Sequence, residues 1–312
     1  MSLLEERIAE CIRAKGPLTG AELQEHIKSD SLPLWQTCHS ANALTTRALG
    51  RQYLRLDAQV EGYARLSPSI LREFLTYSVI GLAENPEALE QRAREISTRI
   101  EEISQEKHDL ARRFIEDIRD RFKTAASGNA AGDWPEDRLC AILAGDVVYR
   151  MAHRVPRPER STGKLVDGSD IDLVVVLADD VPDDFAERLD DAIYKSKYMA
   201  LITPTVREEV DYVVKKMARV DEQLHFDTFK RMIACKILHE GVLLHGSSAM
   251  FGTIKSRLRE LGIADKLEDM EKQAATSRKA RQEYLLHHCS AATMKSADRT
   301  LFYSAEESEE FE

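Results

Sequence analysis

The run Ile171-Asp172-Leu173-Val174-Val175-Val176-Leu177, entered through Asp167-Gly168-Ser169-Asp170, constrains the fold of this chain more than any other stretch. Continuous β-branched and apolar residues over such a length read as a strand covered on both faces. Two carboxylates sit at its entry end. Residues i and i+2 of a strand point to the same face, roughly 7 Å apart along the chain, so Asp170 and Asp172 present two acids side by side. A pair held this rigidly invites a cation.

The chain has 312 residues, enough for two or three domains with cores of their own. At 43% hydrophobic and 31% charged residues its composition is that of an ordinary soluble protein, and no apolar run approaches the length of a membrane span. Residues 1–10 read as an amphipathic helix rather than a secretory signal, so a cytoplasmic location and no membrane partner are expected. Cys11, Cys38, Cys140, Cys235 and Cys289 lack metal-site spacing and are expected to be reduced, buried small side chains. A formal charge of -10 argues against coating nucleic acid through bulk electrostatics, but it excludes no specific partner.

Along the chain, helical periodicity is read over residues 3–14, 21–27 and 34–49, with a stop at Gly50. Tyr53–Asp57 and Tyr63–Leu66 then read as a short hairpin. Three helices followed by a hairpin resemble the winged helix-turn-helix family over residues 1–68, which implies DNA binding or protein docking. On that resemblance Trp35, Gln36, His39, Ser40, Thr45, Thr46 and Arg47 would lie on a recognition helix, with Arg51 and Arg55 near phosphates. Residues 69–128 are expected to be a helical connector broken near Asn85-Pro86. Ile96, Ile100, Ile103, Leu110 and Phe114 form a coiled-coil-like seam within residues 87–124, suited to a homodimer or partner protein or to packing back on the following domain. Ala125 to Asp133 reads as a linker.

Beyond the linker, strand-like and helix-like stretches alternate over 133–248, as in an α/β domain. Cys140–Ala144 is a small strand, Val147–Arg154 helical, Asp183–Met199 an amphipathic helix, Val206–Val214 a strand, Leu224–Leu238 a helix, and Glu240–Gly246 a closing strand. Residues 249–303 read as further helices, and 304–312 as a disordered acidic tail.

The acids at 170 and 172, introduced by Gly168-Ser169 and followed some forty residues later by Val210-Asp211-Tyr212-Val213, resemble the nucleotidyltransferase superfamily of DNA polymerase β type over roughly 133–246. The resemblance implies an α/β (α+β) core with a small mixed sheet, preceded here by the winged helix and connector and followed by helices. It implies two Mg²⁺ or Mn²⁺ ions roughly 3.5 to 4 Å apart, held by Asp170, Asp172 and Asp211. It also implies transfer of a nucleoside monophosphate, AMP in the first instance, from an NTP to a hydroxyl of a protein, RNA or small molecule, with pyrophosphate release. Asp211 would help deprotonate the acceptor, and Glu209 is its substitute if the register is shifted. A winged-helix front would suit stress-response, toxin-like or phage-defence roles.

One position departs from the pattern. Where the family carries Gly-Ser or Gly-Gly to receive nucleotide phosphates, this chain has Gly145-Asp146, and an aspartate beside a triphosphate is repulsive unless it caps a helix or reaches a cation. Asp146 is expected to be the N-cap of Val147–Arg154. Arg150, Arg154, Arg157, Arg160 and Lys164 form a basic cluster that would compensate, with His153 an acid/base candidate. The rival expectation is a DNA-binding regulator or complex subunit whose transferase-like domain binds nucleotide or scaffolds without catalysis.

Overall fold

In the computed structural model, residues 2–126, 134–158, 163, 165–290 and 302 are described. The described residues divide into two units, 2–99 with 269–290 and 302, and Ile100–Glu268.

The first unit opens on two capping boxes. Ser2 Oγ accepts the Glu5 N–H while the Glu5 carboxylate accepts the Ser2 N–H, which starts α1 (Leu3–Lys15). Thr19 and Glu22 repeat the device at α2 (Gly20–Ile27), which follows the two-residue strand β1 (Leu18–Thr19). The third helix, α3 (Ser31–Ser40), stops nine residues before the expected end, and Leu44–Ala48 is strand β2. Thr45 and Thr46 are β-branched, and tertiary pairing decides their state.

A hairpin of β3 (Tyr53–Leu56) and β4 (Ala64–Ser67) forms as expected, but as a separate two-stranded sheet. After α4 (Ile70–Thr76) comes strand β5 (Ser78–Leu82), within the stretch expected to be helical. Val79 and Ile80 are fully buried, and a short apolar run of this kind has no period that separates buried strand from buried helix. β5 is the centre of an antiparallel sheet ordered β1-β5-β2. Trp35, Phe74, Ile80, Leu285 and Phe302 share its core.

Helix α5 (Pro86–Ala126) starts at the break read from Asn85-Pro86, with proline at the position where its missing N–H costs nothing. Its residues up to Arg99 belong to the first unit and those from Ile100 to the second. Ile103, Ala111, Ile115, Ile118 and Phe122 enter the second unit's core, with Leu110 and Phe114 packed against it. Most of the seam is therefore covered from within the chain. The expected linker at 125–133 lies almost wholly outside the described residues.

The second unit continues through a 3₁₀ turn (Glu136–Arg138), β6 (Leu139–Ala144), β7 (Arg157–Pro158), β8 (Leu165–Val166), β9 (Ile171–Leu177), α6 (Asp183–Ile202) and β10 (Val210–Lys216). Helices α7 (Met217–Gln223) and α8 (Phe229–Glu240), strand β11 (Val242–Gly246) and helices α9 (Ser248–Glu260) and α10 (Ile263–His287) complete it, α10 passing into the first unit at Asp269. The sheet order is β10-β9-β6-β11, with β9 and β10 parallel across the α6 crossover and the other pairs antiparallel. All seven residues of β9 are buried, as its apolar run demands.

Val147–Arg154 is not a helix. Arg150 adopts a positive φ of 57° that ends the turn after β6, and residues 151–156 run on as irregular chain towards Pro156. No helix among the described residues is long and apolar enough to cross a membrane. The acidic tail lies outside the described residues.

Candidate metal centre

Asp170 precedes β9, Asp172 is its second residue, and Asp211 is the second residue of β10. Parallel pairing in the register Asp211↔Asp172 sets these two side by side on neighbouring strands. One carboxylate oxygen from each of the three acids lies within 4.8 Å of the others. Glu209 lies outside this group, so the register that selects Asp211 is the one observed. Asp172 is the innermost, at 5% exposure.

The end of β6 makes room for it. Ala144 pairs with Asp172, and Gly145 at φ 73° passes directly beneath the carboxylate, where a Cβ would stand 2.0 Å from Asp172 Oδ2. Only glycine fits. The donor set, three carboxylates brought together on a rigid sheet, suits a hard divalent ion of the Mg²⁺ or Mn²⁺ type.

Two cationic side chains serve the same acids. Arg157 donates through Nε to the Gly168 carbonyl at 2.9 Å, pairs through Nη1 with Glu209 Oε2 at 2.8 Å, and reaches Asp170 Oδ2 with Nη2 at 3.3 Å. Lys197 Nζ on α6 lies 2.8 Å from Asp211 Oδ1. From α5, Lys107 pairs with Glu208 and donates to the Asp167 carbonyl, tying down the entries to β9 and β10. Burial raises the Glu208 carboxyl above its ordinary range against the pull of Lys107.

The turn beneath the acids is engaged by protein groups. The Gly145 N–H donates to Glu240 Oε1 at 3.2 Å, and the other Glu240 oxygen accepts the Tyr149 hydroxyl at 2.5 Å and pairs with Lys236 at 2.8 Å. Asp146 is not an N-cap, since no helix follows it. Its Oδ2 accepts the Ser169 hydroxyl at 3.0 Å. Ser169 in turn exchanges backbone bonds with His153, whose N–H reaches Ser169 Oγ and whose carbonyl accepts the Ser169 N–H. Gly168, at φ 77°, would drive a Cβ to within 1.7 Å of the His153 carbonyl. Gly168, Ser169 and Asp146 thus stitch two loops together. His153 is buried, and its Nδ1 accepts the Val155 N–H at 3.1 Å.

The basic loop does not stay a free cluster. Arg150 is exposed, Arg154 pairs with Glu106, and Arg157 is held by the acids. Arg160 and Lys164 lie outside the described residues. In the first unit, Gln36 donates its amide to the Leu285 and Cys289 carbonyls at 2.6 and 2.7 Å, Arg47 sits on β2 beside Glu90, and Arg51 follows that strand. Gln36 and Arg47 do not share the expected recognition helix, because that helix ends at Ser40 and Arg47 lies on β2.

Lys197 and Glu240 are not among the candidate site residues that the sequence points to. A signal for Lys197 existed: Phe185, Leu189, Ile193, Lys197 and Leu201 recur at every fourth residue of α6, and the lysine interrupts an otherwise buried apolar stripe. Glu240 left no such mark, since its partners Gly145 and Tyr149 are remote in the chain. Further along β10, burial lowers Lys215 to about 8, its ammonium donating to Gln223 Oε1 at 2.7 Å. Burial pushes the Cys38, Cys140 and Cys235 thiols up to about 12, so they are unreactive packing groups. Compared with known proteins, the chain matches no family model, no curated protein and no solved structure.

Proposed function

We propose that the protein is a metal-dependent nucleotidyltransferase of the DNA polymerase β type, moving a nucleoside monophosphate from an NTP, ATP in the first instance, to a hydroxyl acceptor. The observation that carries this reading is the in-register pairing of Asp211 with Asp172 on adjacent parallel strands, with Asp170 in reach. Mg²⁺ or Mn²⁺ bound there would supply charge stabilisation for in-line displacement at phosphorus. Asp170 and Asp172 hold the inner side of the site. Asp211, less buried, faces the acceptor and takes the proton of its hydroxyl. The acceptor oxygen forms a bond to the α-phosphorus as the α–β phosphoanhydride bond breaks, and its electron pair leaves with pyrophosphate.

The Gly145 amide is engaged by Glu240, so polyphosphate recognition falls to side chains such as the exposed Arg150. In the first unit, helices α1 to α3 beside the β1-β5-β2 sheet support a winged-helix reading, with β5 rather than the β3–β4 hairpin completing the sheet. That unit would bring the transferase to DNA or to a partner protein.

Incubation with labelled NTPs and Mg²⁺ or Mn²⁺ tests the activity. Label transfer is expected from the natural chain and a loss of at least about 10³-fold from Asp170→Ala plus Asp172→Ala, the scale on which removal of a principal electrostatic element slows an enzyme. Equal labelling by both proteins would rule the mechanism out. A second reading, a nucleotide-sensing regulator without turnover, is favoured by the Glu240 carboxylate at the Gly145 amide and by Asp146 in place of serine. Calorimetry distinguishes it, since heat of nucleotide binding without label transfer would select the regulator.

A further inference from the structure

A lysine at position 197 gives up packing that the apolar residues one turn away enjoy. Ile193 is fully buried and Leu201 nearly so, whereas Lys197 is half-buried and turns its ammonium towards Asp211. Among the described residues, Asp211 is its one hydrogen-bond partner.

Arg157, which also reaches the acids, is anchored differently. It holds the Gly168 carbonyl and Glu209 at shorter distances than Asp170, so its departure would break a close ion pair to the buried Glu209 carboxylate. Arg157 can release Asp170 without leaving. Lys197, on a flexible stem with a single bond, can move away altogether.

Resting on the nucleotidyltransferase reading, we propose that Lys197 is an internal counter-cation, which occupies the Asp211 side of the site until a divalent ion arrives and then passes its charge to the polyphosphate of the nucleotide. Three carboxylates with oxygens inside 4.8 Å repel one another unless cations lie between them. A divalent ion arriving alone must evict the ammonium and leave two like charges a few ångströms apart. A ligand bearing a polyphosphate gives the ammonium an anionic partner within reach of α6. Metal and nucleotide therefore favour each other's binding, and by linkage the factor is the same in both directions. The site thereby selects di- and triphosphates over nucleosides, with no need for the amide that Glu240 holds.

The test is Mn²⁺ binding to the full-length protein, followed by electron paramagnetic resonance with and without α,β-methylene ATP. The natural chain is expected to bind Mn²⁺ alone weakly and about 10-fold more tightly with the analogue, within the usual range of coupling between sites. Lys197→Met is expected to bind Mn²⁺ alone about 10-fold more tightly than the natural chain and to gain little from the analogue. Lys197→Arg keeps the charge and is expected to retain the coupling, which a purely packing role for the lysine would not predict. Lys195→Met, at an exposed lysine of the same helix, controls for net charge and is expected to match the natural chain. Identical Mn²⁺ affinities in the natural chain and Lys197→Met, with binding lost in Asp172→Asn, would overturn the role of Lys197 and leave the metal centre standing. Mn²⁺ bound by none of the proteins would overturn both.

Discussion

Gly145 and Lys215 show how single positions in the second unit answer to neighbours far away in the chain. Gly145→Ala would place a methyl group against Asp172 Oδ2 at a backbone φ of 73°, so the carboxylate must swing out of the triad. Mn²⁺ binding is expected to fall at least about 10-fold, with about 1–3 kcal/mol of stability lost to backbone strain, measured by resonance titration and urea unfolding. Lys215 titrates near 8 in the folded chain against 10.5 ordinarily. Between these values the unfolded chain holds more protons, so the contribution of this group to stability rises with pH across that window. Below about 8 its full cost is present, at most roughly 3 kcal/mol. Lys215→Met is expected to stabilise the protein by about 1–2 kcal/mol at pH 7 and to flatten the rise between pH 8 and 10.5 in urea titrations. The sequence shows a lysine after Val213-Val214. Only the packing of α7 and α8 shows that it is buried.

Among the elements, α8 closes the sheet by way of a buried ion pair. Lys236 and Glu240, with side chains 5% and 2% exposed, are one helical turn apart, and Glu240 also holds the turn after β6. Glu240→Gln removes the carboxylate that pairs with the buried Lys236 ammonium and is expected to cost about 3–5 kcal/mol by denaturant unfolding. Adding Lys236→Met is expected to recover much of that loss, because the buried ammonium is removed together with its carboxylate partner. The elements differ in how far their sequences specify them. The long β-branched run of β9 and the helical period of α6 make these two elements legible, α6 running on to Ile202 past the read end at Met199, while Thr45-Thr46 and Val79-Ile80 take their state from strand pairing, which no local window contains. The seam on α5 was legible as an apolar stripe, but which surface it covers was not.

For the molecule as a whole, the centre predicts a specific response to ligand. Mn²⁺ with α,β-methylene ATP at about 100 times their dissociation constants is expected to stabilise the second unit by about 2.7 kcal/mol. That corresponds to roughly 5–10 °C in calorimetry for a unit of this size. Asp172→Asn is expected to show no shift, and Mn²⁺ alone a smaller one. The division of the chain also departs from the segmentation read in sequence. The connector is a single helix contributing to both units, and α10 crosses from the second into the first, where Arg278 bonds Glu73 and the Pro68 carbonyl.

By itself the sequence determined the strand that carries Asp172, with Asp170 at its entry, the second strand with its lone acid, and the helix between them. Each of these is written in a local period or in the cost of placing a charge in an apolar run. Tertiary structure alone decided that β10 lies parallel and in register beside β9, so that Asp211 meets Asp172 rather than sliding one residue to the other face. It also decided that Lys197 and Arg157 balance the acids and that Glu240 takes the Gly145 amide. The reason is physical: period and propensity set the conformation of a segment, whereas the partner of a charged group is chosen by packing among residues remote in the chain.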